Sequence, residues 1–362
     1  ILKIKFYRAY IWILLGCAAV LAKSLTADAP AFVEKYYANG FYQWIRTIFD
    51  YSLSNFPFPS IYLFFTIFGI ILFFNMRDWY RKFKLKQFSF SALLRNFVAF
   101  LGGLVFFFFV LWGFNYNRLP VEDHMELEVS PLDLSSLKAE LELETKEIVE
   151  LRKLIPGATD SALTLANFPA DLEIHLRENL AKNLKQYAYP ADGKIRGRLL
   201  HPQGVFLRFS SAGLYFPFVG EGNIDAGLHP LQWPYVMTHE MGHAYGFADE
   251  GTCNFLAYIS CTSSPHPAVA YAGHLSYWRT LAIQYLRYEP DAYKAFRDRL
   301  PAGIQADLNA VNEQMNKFPD LVPNLQPRVY NAYLKAQGIP EGMLNYKRVI
   351  MLVHAWRSAR KS

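Results

Sequence analysis

Cysteine is scarce: the 362-residue chain has three, Cys17, Cys253 and Cys261. That is too few for a disulfide framework, and none is spaced as a Cys-x-x-Cys metal or redox pair. Charge is scarce as well. Only 19% of residues are Asp, Glu, Lys or Arg, against 52% hydrophobic and 17% aromatic, which excludes a disordered or collagen-like chain. The basic excess is also confined. Residues 1–113 hold 12 basic and 4 acidic side chains, leaving 25 and 27 for residues 114–362. The part long enough to form a globular domain therefore carries a net charge of −2 and lacks the basic face that nucleic-acid binding requires. No repeat of about 20 to 50 residues is evident, so a solenoid or propeller is excluded too.

Long apolar runs are present in number, at 9–25, 60–76 and 97–113. Each holds at most one charge and approaches the roughly 20 residues that cross a bilayer as a helix, so three transmembrane helices are expected. Flanking cations orient them. Lys3, Lys5 and Arg8 precede the first run, and Arg77, Arg81, Lys82, Lys84, Lys86 and Arg95 lie between the second and third with only Asp78 opposing. The connection between the first two runs is mixed, with Asp28, Glu34 and Asp50 against Lys35 and Arg46. The N-terminus and the basic loop are thus expected inside. Residues 1–113 form a multi-pass membrane domain in the cytoplasmic (inner) membrane, and residues 114–362 an extracytoplasmic domain.

Residues 114–130 read as a linker. Apolar residues at Leu137, Leu141, Ile148, Leu151 and Ile155 predict an amphipathic helix over 131–155, stopped by Pro156-Gly157, and a second is predicted over 170–187. Between Val205 and Asp225 the texture changes to short apolar stretches divided by glycines: Val205–Phe209, Leu214–Phe218 and Asn223–Asp225 predict short strands or one hairpin. Helical texture resumes at Leu231, with Pro234 suited to a first turn. It continues to the end with breaks at proline and glycine. The fold class is α+β: three N-terminal transmembrane helices, then a mainly helical domain with a small sheet.

The segment with chemical content is Met237-Thr238-His239-Glu240-Met241-Gly242-His243-Ala244-Tyr245-Gly246-Phe247-Ala248-Asp249-Glu250. On a helix, His239 and His243 project from one face and can reach one ion, while Glu240 beside them is suited to take a proton from a metal-activated water. A zinc hydrolase needs a third protein ligand and an open fourth position. Asp249 completes a His-Glu-x-x-His-x-x-Gly-x-x-Asp pattern similar to that of metzincins, with Gly246 letting the chain turn back. Glu250, followed four residues later by Asn254, instead resembles the gluzincin Glu-x-x-x-Asp pairing, with Asn254 orienting a ligand histidine. Glu250 is favoured, with Asp249 as the alternative.

These residues, together with Trp112-Gly113-Phe114-Asn115-Tyr116-Asn117-Arg118, Tyr215-Phe216-Pro217-Phe218-Val219-Gly220-Glu221, Asn254-Phe255-Leu256-Ala257-Tyr258 and Val329-Tyr330-Asn331-Ala332-Tyr333-Leu334-Lys335, resemble an uncharacterised family of bacterial membrane-anchored zincin-like proteins classed as a domain of unknown function. The resemblance implies three N-terminal spans and an outer metallopeptidase-type domain with an acidic third ligand. Many relatives carry a further acid where Thr252 stands here, which leaves Glu250 as the position matching the family's acidic site.

Other roles follow from zincin chemistry. The 214–225 region stands where an edge strand would pair with an extended peptide, and Glu221 could hold a substrate α-amine. Oxyanion donors are sought among Tyr330, Tyr346, Tyr271 and His274, whereas His229, His266 and His354 default to structural roles. Cys253 and Cys261, eight residues apart on a helix, are about 12 Å apart and default to buried thiols. The expected activity is zinc-dependent hydrolysis of a peptide or protein substrate, with Glu240 catalytic. The rivals are a non-catalytic, zinc-stabilised membrane scaffold or binding protein, and a transport module, for which the spans contain almost no polar groups.

Overall fold

A computed structural model describes residues 2–323 and 325–360, with the side chains of residues 2–8, 325 and 326 left out. The cations Lys3, Lys5 and Arg8 used for orientation therefore lie outside the described side chains. In chain order the elements are α1 (Leu2–Leu25), α2 (Pro30–Phe32), a π-helical stretch (Val33–Phe41), α3 (Tyr42–Tyr51), α4 (Ser60–Lys84), α5 (Phe90–Leu111), α6 (Val121–His124), α7 (Leu134–Lys153), α8 (Leu172–Gln186), β1 (Gly197–Leu200), β2 (Gly213–Phe216), β3 (Glu221–Asp225), α9 (Trp233–Ala244), α10 (Glu250–Thr262), α11 (Pro267–Tyr288), α12 (Pro290–Asp298), α13 (Ala302–Asn316), α14 (Leu325–Ala336) and α15 (Arg348–Ala359). The protein is mostly helical with a three-stranded sheet of order β1-β3-β2. It folds as two compact units, Ile1–Leu119 with Phe216–Glu221, and Pro120–Tyr215 with Gly222–Ser362.

In the first unit, α4 and α5 are long and apolar enough to cross a membrane. Of the three expected spans, the first meets that test only when Ala9–Leu25 is taken with Pro30–Asn55, a pair bent by 117°. The spanning helices thus number two, or up to three. Ile70, Ile71, Phe73 and Phe74 of α4 are each more than half exposed; an outward-facing apolar surface of that kind indicates membrane association. Helices α1 and α5 run in the same direction and touch through glycine. A Cβ on Gly16 would lie 2.7 Å from the Gly102 Cα, and one on Gly102 2.5 Å from the Trp12 carbonyl oxygen, the close backbone approach by which membrane helices pack without a hydrophobic driving force.

The expected linker at 114–130 is instead partly folded. Gly113–Asn117 is a 3-10 turn with Asn115 and Asn117 buried. The Asn117 side chain donates to the Lys23 carbonyl at 2.6 Å and to the Thr26 hydroxyl at 3.0 Å, satisfying acceptors left over at the end of α1. Arg118 forks onto Glu34, with Nε to Oε2 at 2.9 Å and Nη2 to Oε1 at 2.6 Å. These are side-chain interactions between distant positions, which hydropathy does not register.

In the second unit, α7 starts at its Asp133 cap, which accepts from the Ser136 N–H at 2.7 Å, and buries Leu137, Leu141 and Ile148. Helix α8 buries Leu172, Leu176, Leu180 and Leu184, one side of four successive turns. Glu144 of α7 is fully buried. It accepts from Tyr258 at 2.9 Å and His274 at 2.8 Å and is paired with Arg357, so one carboxylate ties α7 to α10, α11 and α15.

The strands differ from expectation. β1 lies at Gly197–Leu200 and pairs in parallel with β3, Gly197 opposite Gly222 and Leu200 opposite Asp225, while Val205–Phe209 forms no strand and ends in a 3-10 turn. The reason is Asp225. Its buried carboxylate accepts from the backbone N–H groups of Gly204 and Gly227 at 2.7 Å, Phe206 at 2.7 Å and Leu207 at 3.2 Å, binding the 204–207 backbone to a side chain instead of a ladder. Asp225→Asn is expected to remove acceptor capacity from these buried donors, costing about 3 kcal/mol and lowering Tm on the order of 10 °C in a thermal melt of the detergent-solubilised chain. An unchanged Tm would contradict this account of the loop.

Candidate metal centre

Helix α9 begins with Pro234 in its first turn and is buried from Met237 through Ala244. It ends where Gly246 adopts φ +86°, the left-handed conformation of a helix C-terminus that glycine adopts at least cost, with Gly246 N–H donating to the His243 carbonyl at 2.9 Å. The chain then reverses into α10, capped by Asp249, and Glu250 is the first residue of that helix. The two helices cross closely: a Cβ on Gly242 would stand 3.2 Å from the Cys253 sulfur.

This arrangement brings His239, His243 and Glu250 together, with exposures of 8%, 6% and 2%. His239 Nε2 is 3.0 Å and His243 Nε2 3.4 Å from Glu250 Oε2, and the two Nε2 atoms are 3.2 Å apart. The opposite ring nitrogens face acceptors. His239 Nδ1 lies 2.9 Å from the Asn254 side-chain oxygen and His243 Nδ1 2.8 Å from the Phe247 carbonyl, while the Asn254 amide nitrogen donates to the Tyr346 carbonyl at 3.5 Å. With protons on both Nδ1 atoms, the two Nε2 lone pairs and a carboxylate oxygen converge as three acceptors, a donor set that fits a divalent cation. Among the described residues, His239, His243 and Glu250 form a group whose ligand atoms all lie within 4.8 Å of one another.

Electrostatics agree with the geometry. Burial raises Glu250, but the charge of His243 and the hydrogen bonds from His239 and His243 outweigh it and hold the carboxyl well below its ordinary range. Burial lowers His243, yet Cys253 and Glu250 raise it well above the usual imidazole value. Each shift favours one positive charge among these groups. Glu240 is pushed up by burial, opposed by His239 and His243, and accepts from the Tyr215 backbone N–H. Two glycines make room for it: a Cβ on Gly213 would be 2.6 Å from Glu240 Oε1, and one on Gly222 2.8 Å from Glu240 Cβ.

Two of the tyrosines sought as donors arrive from late in the chain. Tyr330 of α14 donates to Glu250 Oε1 at 2.5 Å. The Tyr346 ring stacks on His239, centroids 6.4 Å apart and 12° between planes, and the two tyrosines are hydrogen-bonded to each other. Burial, then the Glu250 charge, raises both phenols well above their ordinary value, so both keep their protons.

Residues 37–354 match a family model described as a protein of unknown function, DUF3810. The chain belongs to that family. No curated protein and no solved structure matches it. The description assigns DUF3810 proteins no activity, so the zincin character anticipated from the sequence rests on the residues of this chain.

The remaining candidates of this DUF3810 chain have other partners. Asp249 caps α10, accepting from the Thr252 N–H at 2.6 Å and hydroxyl at 2.7 Å, and is held by Asn345 at 2.6 Å and Arg348 at 3.1 Å. Thr252 thus serves the cap. Glu221, in the first unit, accepts from the Ser60 N–H at 3.1 Å at the start of α4, a use of its carboxylate unlike the expected grip on a substrate amine. Tyr271 donates to Asp307 at 2.6 Å, and His274 faces Glu144; both serve the helical core. His229 caps a 3-10 turn, and His354 faces Glu140 at 2.9 Å. Cys253 and Cys261 are free, buried thiols, pushed up by burial to about 11 and about 12. The Phe247 carbonyl, the glycine pair around Glu240 and the Asn345–Arg348 clamp had no sequence signature, because backbone atoms and absent side chains do not form motifs.

Glu250→Ala is expected to abolish stoichiometric zinc uptake in metal analysis of the purified chain. Asp249→Ala should keep the zinc and lose about 1 kcal/mol of stability with the cap. The reverse pattern would make Asp249 the ligand.

Proposed function

We propose that this protein is a membrane-anchored zinc-dependent peptidase in which His239, His243 and Glu250 hold the metal, and the observation that carries the reading is the convergence of their three acceptor atoms beside buried Glu240. A zinc ion there supplies Lewis acidity, polarising a carbonyl and making water acidic enough to lose a proton near neutral pH. Glu240, raised by burial and lying beside the ligands, takes the proton of the attacking water and passes it to the departing amine. Asn254 and the Phe247 carbonyl hold the imidazoles in the tautomer that presents Nε2. Tyr346, protonated, would donate to the oxyanion that develops on the substrate carbonyl, and Tyr330 would do so when its hydroxyl turns from Glu250 Oε1. No covalent enzyme intermediate is required.

The same reading places α1, α4 and α5 as three spans of the cytoplasmic membrane. The shared direction of α1 and α5 is what an intervening returning span would produce, and the basic residues 77–95 between α4 and α5 mark the cytoplasmic side, which leaves the metal site extracytoplasmic.

The test uses the full chain and a quenched-fluorescent peptide library. Glu240→Gln should lower turnover by about 10²- to 10⁴-fold with zinc retained, and Tyr330→Phe or Tyr346→Phe by up to about 10²- to 10³-fold. Chelation should abolish activity and added zinc restore it. If zinc binds stoichiometrically but no peptide is cleaved, and Glu240→Gln changes no measured property, the metal is a structural staple of a scaffold.

A further inference from the structure

The stretch from Pro30 to Tyr51, which the sequence places in a mere connection, is continuous helix with its polarity reversed. Val33, Glu34, Ala38, Tyr42, Ile45, Arg46 and Asp50 are buried, and its charges are satisfied there: Glu34 by Arg118, and Arg46 by the Gln43 side chain at 3.0 Å and Asp50 at 3.8 Å. Outward point Phe32, Tyr36, Phe41, Trp44 and Ile48, between 51% and 74% exposed. A helix in water arranges itself the other way, apolar inward and charged outward.

From this face we infer that residues 30–51 form an interfacial helix that rests in the headgroup–acyl boundary of the bilayer, its aromatic side toward lipid and its ion pairs toward the protein. Three observations select lipid as the occupant. The helix begins after a short turn at residues 26–29 that follows α1 and is bent by 117° from it, so it turns across the direction of that candidate span. Its Tyr37 hydroxyl donates to the carbonyls of Phe109 and Val110 at 3.2 and 3.0 Å, at the C-terminal end of α5, where a span meets the interface. The exposed set combines Trp and Tyr with Phe and Ile, the composition enriched at that depth. With its ion pairs buried, the outward side keeps the flanking polar residues Lys35, Asn39 and Thr47, which a headgroup region solvates. The inference rests on the membrane reading given above.

It is tested on the full chain, with Cys17→Ser, reconstituted in phosphatidylcholine–phosphatidylglycerol vesicles. Single nitroxide labels are placed through Trp44→Cys, Ile48→Cys, Thr47→Cys, Phe73→Cys and Phe100→Cys, with collisions measured by EPR against oxygen and a water-soluble nickel chelate. Labels at 44 and 48 should favour oxygen several-fold over the label at 47, at a depth shallower than 73 and 100. Nickel access at 44 and 48 like that of a label in water, with 73 and 100 in lipid, overturns the interfacial helix alone. Dipolar broadening between labels at 44 overturns it in favour of a second copy of the chain. Nickel access at 73 and 100 as well overturns the membrane reading together with it.

Discussion

Three lone pairs aimed at one point repel one another, and most of the second unit's local architecture serves to hold them there. Asn254 and the Phe247 carbonyl occupy the outer imidazole nitrogens, Tyr330 occupies the outer oxygen of Glu250, and α9 and α10 cross closely at Gly242, where a Cβ would stand 3.2 Å from the Cys253 sulfur. A cation relieves that repulsion, and the raised His243 and lowered Glu250 express the same demand through a proton. The structure around the cluster is costly unless a positive charge is retained.

The first unit obeys the same rule with different means. Where α1 ends, its carbonyls meet the Asn117 amide; where charge is buried, as at Glu34, Arg118 forks onto it. These groups are withdrawn from solvent, and the protein supplies their partners internally. The glycine contact of α1 with α5 then allows two backbones to approach where larger side chains would hold them apart.

How far the sequence foretold all this depended on whether a feature was periodic. Helix α7 was read from Leu137, Leu141, Ile148, Leu151 and Ile155, and α9 from the helical texture that resumes at Leu231 with Pro234 in its first turn, because a helix repeats its contact every turn. Tyr346 and Tyr330 could be named only as two of several candidates among 23 tyrosines, since what brings them to Glu250 is tertiary packing. Val205–Phe209 has strand texture but follows the Asp225 carboxylate, a single residue overriding a propensity. The helix at 30–51 escaped because its outward aromatics and inward charges are spaced as in an ordinary amphipathic helix; which face is wet is not encoded in the period.

Glu144 carries a consequence for how the chain becomes complete. Arg357 comes more than two hundred residues after Glu144 in the chain. Until α15 arrives, that fully enclosed carboxylate lacks its guanidinium partner and has only Tyr258 of α10 and His274 of α11 to hold it. Synthesis of this unit therefore has a natural latch: the helical core around Glu144 closes only after residue 357 has emerged.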